Sequence, residues 1–81
     1  MILKPHFRVA YENKINIQKH YLIIFINYMN LSPGEGLPII AISAHLNIGY
    51  GYALKLIYEF LQSTDDYEYM VINDIPALVR V

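Results

Sequence analysis

Apolar residues recur at helical spacing in three separate stretches of the chain. In residues 14–30, four of them follow the i, i+3, i+4, i+7 spacing of one helix face: Leu22, Phe25, Ile26 and Met29. Residues 38–46 repeat this spacing with Ile39, Ile42 and Leu46. Residues 50–62 repeat it with Ala53, Leu56, Ile57, Phe60 and Leu61. The pattern therefore predicts three helices with one buried face each.

The segments between these stretches contain residues that end helices or form turns. Pro33 disfavours the helical conformation at Ser32, so a loop is predicted over residues 32–36. Pro38 suits the first turn of the second helix. Asn47 tolerates the left-handed conformation that a sharp helix exit requires. We therefore predict a tight turn between the second and third helices.

Both ends of the chain alternate between apolar and polar residues, which is typical of half-buried strands. In residues 2–11 the apolar parity includes Leu3, Phe7 and Val9. Pro5 favours an edge strand or an extended arm there. Residues 67–72 and 77–81 alternate in the same way around a predicted four-residue turn at 73–76. The second pair predicts a hairpin.

The composition is that of one small folded domain. The chain has 81 residues, of which 56% are hydrophobic and 16% are charged. It contains no cysteine, which excludes disulfides, zinc–thiolate sites and thiol catalysis. The densest apolar run, residues 21–29, is far shorter than the roughly 20 residues of a membrane span. With no secretory signal pattern, we expect a cytoplasmic protein that makes no membrane contact.

The small net charge of −1 hides an asymmetry along the chain. Residues 1–30 carry a net charge of +3, and residues 31–81 carry −4. A basic N-terminal part can contact phosphates. The alternative is that both parts are ordinary solvated surface.

Residues 42–57 resemble the helix-turn-helix of winged-helix proteins. Ser43 is small where the two helices cross, Asn47 occupies the turn, and Ile48 fills the gap between the helices. The predicted hairpin follows where that family has its wing, so the resemblance covers residues 14–81. It implies a single α+β domain over residues 1–81: an N-terminal strand or arm at 1–12, a three-helix core at 14–62, and a C-terminal β-hairpin wing at 67–81.

The resemblance also implies a function, because small winged-helix proteins are common as DNA-binding transcriptional regulators, including archaeal and viral ones. The helix at 50–62 would then read the major groove of double-stranded DNA. The predicted DNA-binding residues are Gly49, Tyr50, Gly51, Tyr52 and Lys55, with Arg80 from the wing and Lys4 and Arg8 from the N-terminal segment. Glycine lets a backbone N–H approach a phosphate, tyrosine donates to phosphate oxygens or contacts thymine methyls, and lysine reaches a phosphate or a guanine edge.

The chain departs from that family pattern in its charges. The predicted recognition helix has one cation, Lys55, and the wing carries Glu68 and Asp74. A homodimer doubles the number of phosphate contacts, and the first helix with the N-terminal segment is its predicted surface. The acidic wing also favours an alternative function, a protein–protein interaction module in a transcription or replication assembly.

Simpler interpretations of the site residues also stand. Tyr50 and Tyr52 can brace the turn, and Lys55 can pair with Glu59 on the helix surface.

The sequence offers no catalytic or ligand-binding set. His6, His20 and His45 lack metal-ligand spacing, and Ser43 and His45 point to different sides of a helix. No glycine-rich phosphate loop is present. We therefore predict neither an enzyme nor a cofactor, metal or small-molecule ligand.

Overall fold

Three helices and three short strands form the described part of the chain. The computed structural model describes the backbone of residues 5–81 and the side chains of residues 16–81. The elements follow the order α1 (Pro5–Met29), β1 (Gly36–Pro38), α2 (Ile39–Leu46), α3 (Tyr50–Leu61), β2 (Tyr67–Ile72) and β3 (Ile75–Arg80). The strands form one antiparallel sheet in the order β1-β3-β2. The predicted α+β class is confirmed.

The prediction of an N-terminal strand or arm is wrong for the residues that the structure describes. Helix α1 begins at Pro5 and continues without a break to Met29, while residues 1–4 lie outside the description. Proline is tolerated in the first turn of a helix, because the N–H it lacks has no intrahelical partner there. In addition, Phe7, Ala10 and Tyr11 fit helical spacing as well as Phe7, Val9 and Tyr11 fit alternation. The short alternating pattern was therefore ambiguous.

The hairpin is tighter than predicted. Strand β3 begins at Ile75, so only Asn73 and Asp74 form the turn, with φ of 51° and 66°. Two positive φ angles in a two-residue loop are typical of a type I′ turn, whose twist matches that of the strands. Pro76 is tolerated within β3. Its nitrogen faces the side on which β1 lies, but the pairing of β1 with β3 ends at Pro38 and Ala77, so β1 offers no partner to position 76.

The core lies between the three helices and one face of the sheet. The largest fully buried side chains come from every helix and from the central strand: Leu22, Ile26, Ile39, Ile42, Leu56, Ile57 and Leu78. The predicted buried faces of the helices are thus largely confirmed. Met29 is exposed, and Leu46, Phe60 and Leu61 are only half-buried.

The turn between α2 and α3 has the predicted conformation. Asn47 is left-handed, with φ 53° and ψ 50°, and ends α2. The Ile48 N–H donates to the Ser43 carbonyl (3.1 Å), and the Ser43 hydroxyl donates back to the Ile48 carbonyl (2.6 Å). The Ile48 side chain packs against the core cluster. These contacts set α3 at a defined angle to α2.

Candidate nucleic-acid interface

The first turn of α3 presents uncapped backbone to solvent. Gly49 is the N-cap residue, and it has no side chain that could accept a hydrogen bond from the N–H groups of this turn. Gly49 and Gly51 are exposed, and a Cβ added at either would meet no atom within 4 Å. The N–H groups at a helix start lack intrahelical acceptors and carry partial positive charge. A phosphate can therefore approach this turn closely.

One face of α3 is exposed along its full length. It consists of Gly51, Lys55, Tyr58 and Gln62, at i, i+4, i+7 and i+11. Tyr58 is 68% exposed. Tyr58 and Gln62 were missed by the sequence analysis, although their spacing from Lys55 already placed them on the same face.

The two predicted tyrosines differ in their environments. Tyr50 is exposed at the start of α3. Tyr52 is half-buried and packs against the core cluster. The structure therefore favours Tyr50 as a surface contact residue and Tyr52 as a brace for the turn.

Lys55 does not pair with Glu59. The Glu59 carboxylate bonds instead to the Lys19 ammonium of α1, at 2.6 Å. That hydrogen bond lowers the pKa of Glu59; burial opposes the shift, and the charges of Lys19 and Lys55 add to it. Within residues 16–81, Lys55 forms no ion pair. Its exposed ammonium is available to a ligand.

Arg80 lies far from the start of α3. Its guanidinium carbon is 5.4 Å from the centre of the Tyr67 ring, and its Nη1 is 3.7 Å from an Asp66 carboxylate oxygen. The Tyr67 ring is in turn 5.5 Å from the ring of Phe60, in the last turn of α3. Ten residues of helix separate Phe60 from Tyr50, a rise of about 15 Å. The structure therefore does not group Arg80 with the other predicted contacts of α3.

The two predicted contacts from the N-terminal segment, Lys4 and Arg8, have side chains outside the described residues. Lys4 lies outside the described residues. Arg8 lies in helix α1, where the structure describes the backbone but not the side chain of this residue.

The hairpin presents apolar side chains around its turn. Met70, Ile72 and Ile75 are each at least two-fifths exposed, and strand pairing places them on the sheet face opposite Leu78. Glu68 shares that face, and Asp74 lies in the turn. This surface carries acidic charge and apolar area, so it does not attract phosphates.

Other site types have little support in the part of the chain that the structure describes. An open apolar groove of about 310 Å³ runs between α3 and β2, lined by Leu54, Ile57, Tyr58, Leu61 and Tyr69. No group of three histidine or carboxylate side chains among the described residues is placed to hold a metal ion. None of the helices described over residues 5–81 has the length and apolar character needed to span a membrane.

Comparisons with protein families, with curated proteins and with solved structures found no match to this chain.

Proposed function

We propose that this protein is a winged-helix regulator that binds duplex DNA by inserting α3 into the major groove. The observation that carries the proposal is the exposed face of α3, which begins at Gly51, close to the N-cap Gly49, and continues through Lys55, which forms no ion pair within residues 16–81. The order of elements supports it: a tight turn joins α2 to α3, a hairpin follows α3, and β1 pairs with the last strand. That arrangement resembles the winged-helix architecture.

The chemistry of this face suits a DNA backbone and groove. The N–H groups of Tyr50 and Gly51, which follow the N-cap Gly49, can donate to a phosphate. Lys55 can reach a phosphate or a guanine edge, and the hydroxyls of Tyr50 and Tyr58 can donate to phosphate oxygens. The width of a single helix matches the major groove.

The charge distribution makes a homodimer part of the proposal. Helix α3 contains one cation, Lys55, and residues 31–81 as a whole carry a net charge of −4. One copy of α3 therefore neutralises few phosphates. Each neutralised phosphate contributes about −0.9 to the slope of log affinity against log salt. We expect two or three cationic contacts per protomer, from Lys55 together with Lys4 or Arg8, and hence a dimer slope between about −3.6 and about −5.4.

The protein–protein module remains a second candidate, and the hairpin favours it. An exposed apolar surface at Met70, Ile72 and Ile75, next to acidic Glu68 and Asp74, is more typical of a protein contact than of a DNA contact. The two candidates use different surfaces and are separable by experiment.

The test is fluorescence anisotropy with a random duplex at about 50 mM salt. We expect the wild type to bind, with a steep negative salt dependence. Lys55→Ala should weaken binding about thirtyfold, because each lost contact costs on the order of 1 kcal/mol and the proposed dimer loses two. Its melting temperature should stay unchanged, since Lys55 is exposed and forms no ion pair within residues 16–81.

Lys19→Ala is the matched control. It removes the same charge from α1, where the side chain bonds to Glu59, and should weaken DNA binding less than Lys55→Ala. Equal affinity of Lys55→Ala and wild type would refute the role of α3. Absence of duplex binding at about 50 mM salt would favour the protein–protein module.

A further inference from the structure

A second apolar stripe runs along α1, on a face that the domain leaves uncovered. Ile17, Tyr21, Ile24 and Tyr28 are between 49% and 81% exposed. Their 4-3-4 spacing places them on one side of the helix, about 120° from the buried Leu22, Phe25 and Ile26. Over its described side chains, residues 16–29, helix α1 therefore has two apolar faces, and the one that carries Leu22, Phe25 and Ile26 contacts the core.

We propose that this α1 stripe, defined as Ile17, Tyr21, Ile24 and Tyr28, pairs with the α1 stripe of a second copy in an antiparallel coiled coil. Alternating steps of four and three residues are the spacing of a heptad seam, whose partner is another helix. The proposal concerns a surface other than the DNA-binding face and does not depend on DNA binding.

The residues that flank the stripe permit two identical copies to meet. Gln18 and Asn27 are polar and uncharged, and His20 flanks the stripe on the same side as Asn27. The nearest lysine in the described side chains, Lys19, faces α3 and bonds to Glu59. Like charges therefore do not oppose each other along the described stripe.

The described stripe alone is smaller than a stable interface requires. At about 200 Å² for a full side chain of this size, the exposed fractions leave roughly 450 Å² per protomer. Two copies would then bury about 900 Å², short of the roughly 1,200 Å² of a stable interface. Helix α1 has 25 residues and extends about 37 Å, so its backbone continues N-terminal to the stripe, and the proposed pairing includes that part of the helix.

The sequence positions along that half fit an antiparallel register. The same spacing continues backwards through Lys14, Ala10 and Phe7. A two-fold axis between residues 15 and 16 would set Ile17 opposite position 14 of the second copy, Tyr21 opposite position 10 and Ile24 opposite position 7. This register matches a large residue with a small one at Tyr21, whereas a parallel pair would set the two Lys14 positions side by side.

Analytical ultracentrifugation without DNA tests the interface. At about 100 μM we expect twice the 9.4 kDa mass of the chain. Ile24→Glu should lower the mass to that of a monomer while the circular dichroism stays that of a folded domain, because the side chain is half exposed. The matched control is Ile40→Glu on α2, where isoleucine is 60% exposed and outside the stripe; it should remain a dimer. A monomeric wild type, or a dimer unaffected by Ile24→Glu, would overturn the proposal.

Spin-label distances test the orientation, and the absence of cysteine makes labelling specific. Asn16→Cys and Asn27→Cys place one label near the proposed axis and one near the end of α1, both at exposed positions. The antiparallel register predicts a short distance for residue 16 and about 35 Å for residue 27, since 23 residues of helix rise then separate the two labels. Short distances at both positions would show a parallel pair and overturn the register.

Discussion

The left-handed residue between α2 and α3 offers the sharpest test of the helix-turn-helix. Asn47 has φ 53° and ψ 50°, a region in which the Cβ atom lies too close to the following carbonyl oxygen. Asparagine tolerates this conformation because its short amide makes local hydrogen bonds, whereas alanine has no such compensation. We therefore predict that Asn47→Ala destabilises the domain and that Asn47→Gly does not.

The expected magnitude follows from the backbone geometry. A left-handed conformation costs an ordinary residue about 1–2 kcal/mol, and asparagine avoids part of that cost. Asn47→Ala should therefore lose about 1 kcal/mol. In Asn47→Gly, relief of the steric cost offsets the larger entropy of the unfolded chain, so a change within about 0.5 kcal/mol is expected. For a domain of this size, 1 kcal/mol lowers the melting temperature by about 4–8 °C.

Thermal and urea unfolding of both variants, followed by far-ultraviolet circular dichroism, provide the measurement. Protein concentration must be held constant across variants, because the proposed dimerisation would shift the apparent stability. If Asn47→Ala were as stable as Asn47→Gly, the turn would not require a left-handed residue. The assignment of α2 and α3 as a helix-turn-helix would then lose its structural basis.

Three further predictions concern the hairpin, an ion pair and the turn anchor. Asp74→Gly should stabilise the domain by about 0.5 kcal/mol, because Asn73-Gly suits a type I′ turn with positive φ at both positions; a loss of stability in urea would contradict the turn type. The lowered pKa of Glu59 means that its ion pair with Lys19 stabilises the fold above the ordinary carboxyl pKa, and that this contribution disappears as the pH falls through the lowered value. Unfolding of Glu59→Gln should therefore depend less on pH in acid than unfolding of the wild type, and identical pH profiles would disprove the linkage. Ile48→Asp should cost about 2 kcal/mol or more, since it places a charge against the core; a melting curve like that of the wild type would show that Ile48 is not the anchor.

The helical core could be predicted from the sequence because its signals are local. Periodicity identified the buried faces, and the turn residues Ser43, Asn47 and Ile48 have the contacts that their sizes and backbone preferences indicate. The prediction of an N-terminal strand failed for a different reason. Ten residues with weak alternation also fit a helix, and only a strand partner elsewhere in the chain decides between them.

The sheet and the site depended on contacts between distant residues. Strand β1 has three residues, too few for any periodicity, and exists because it pairs with β3 more than 35 residues later. The surroundings of Arg80 were likewise not predictable from local sequence. Its neighbours are Tyr67 of strand β2 and Asp66 of the loop that precedes β2. By contrast, the exposure of Gly51 and Lys55 follows from local information, because the helical spacing of the buried residues of α3 places both on the opposite side.

The short strand β1 divides the hairpin into two mechanical regions. Because β1 runs directly into α2 at Pro38, it fastens the base of the hairpin to the helices. Beyond the pair of Pro38 with Ala77, only two strands remain, and they carry Ile72 and Ile75 at the tip. Backbone amides of the base should therefore exchange with solvent far more slowly than those of the tip, so the tip can bend toward a bound molecule while the helices keep their shape.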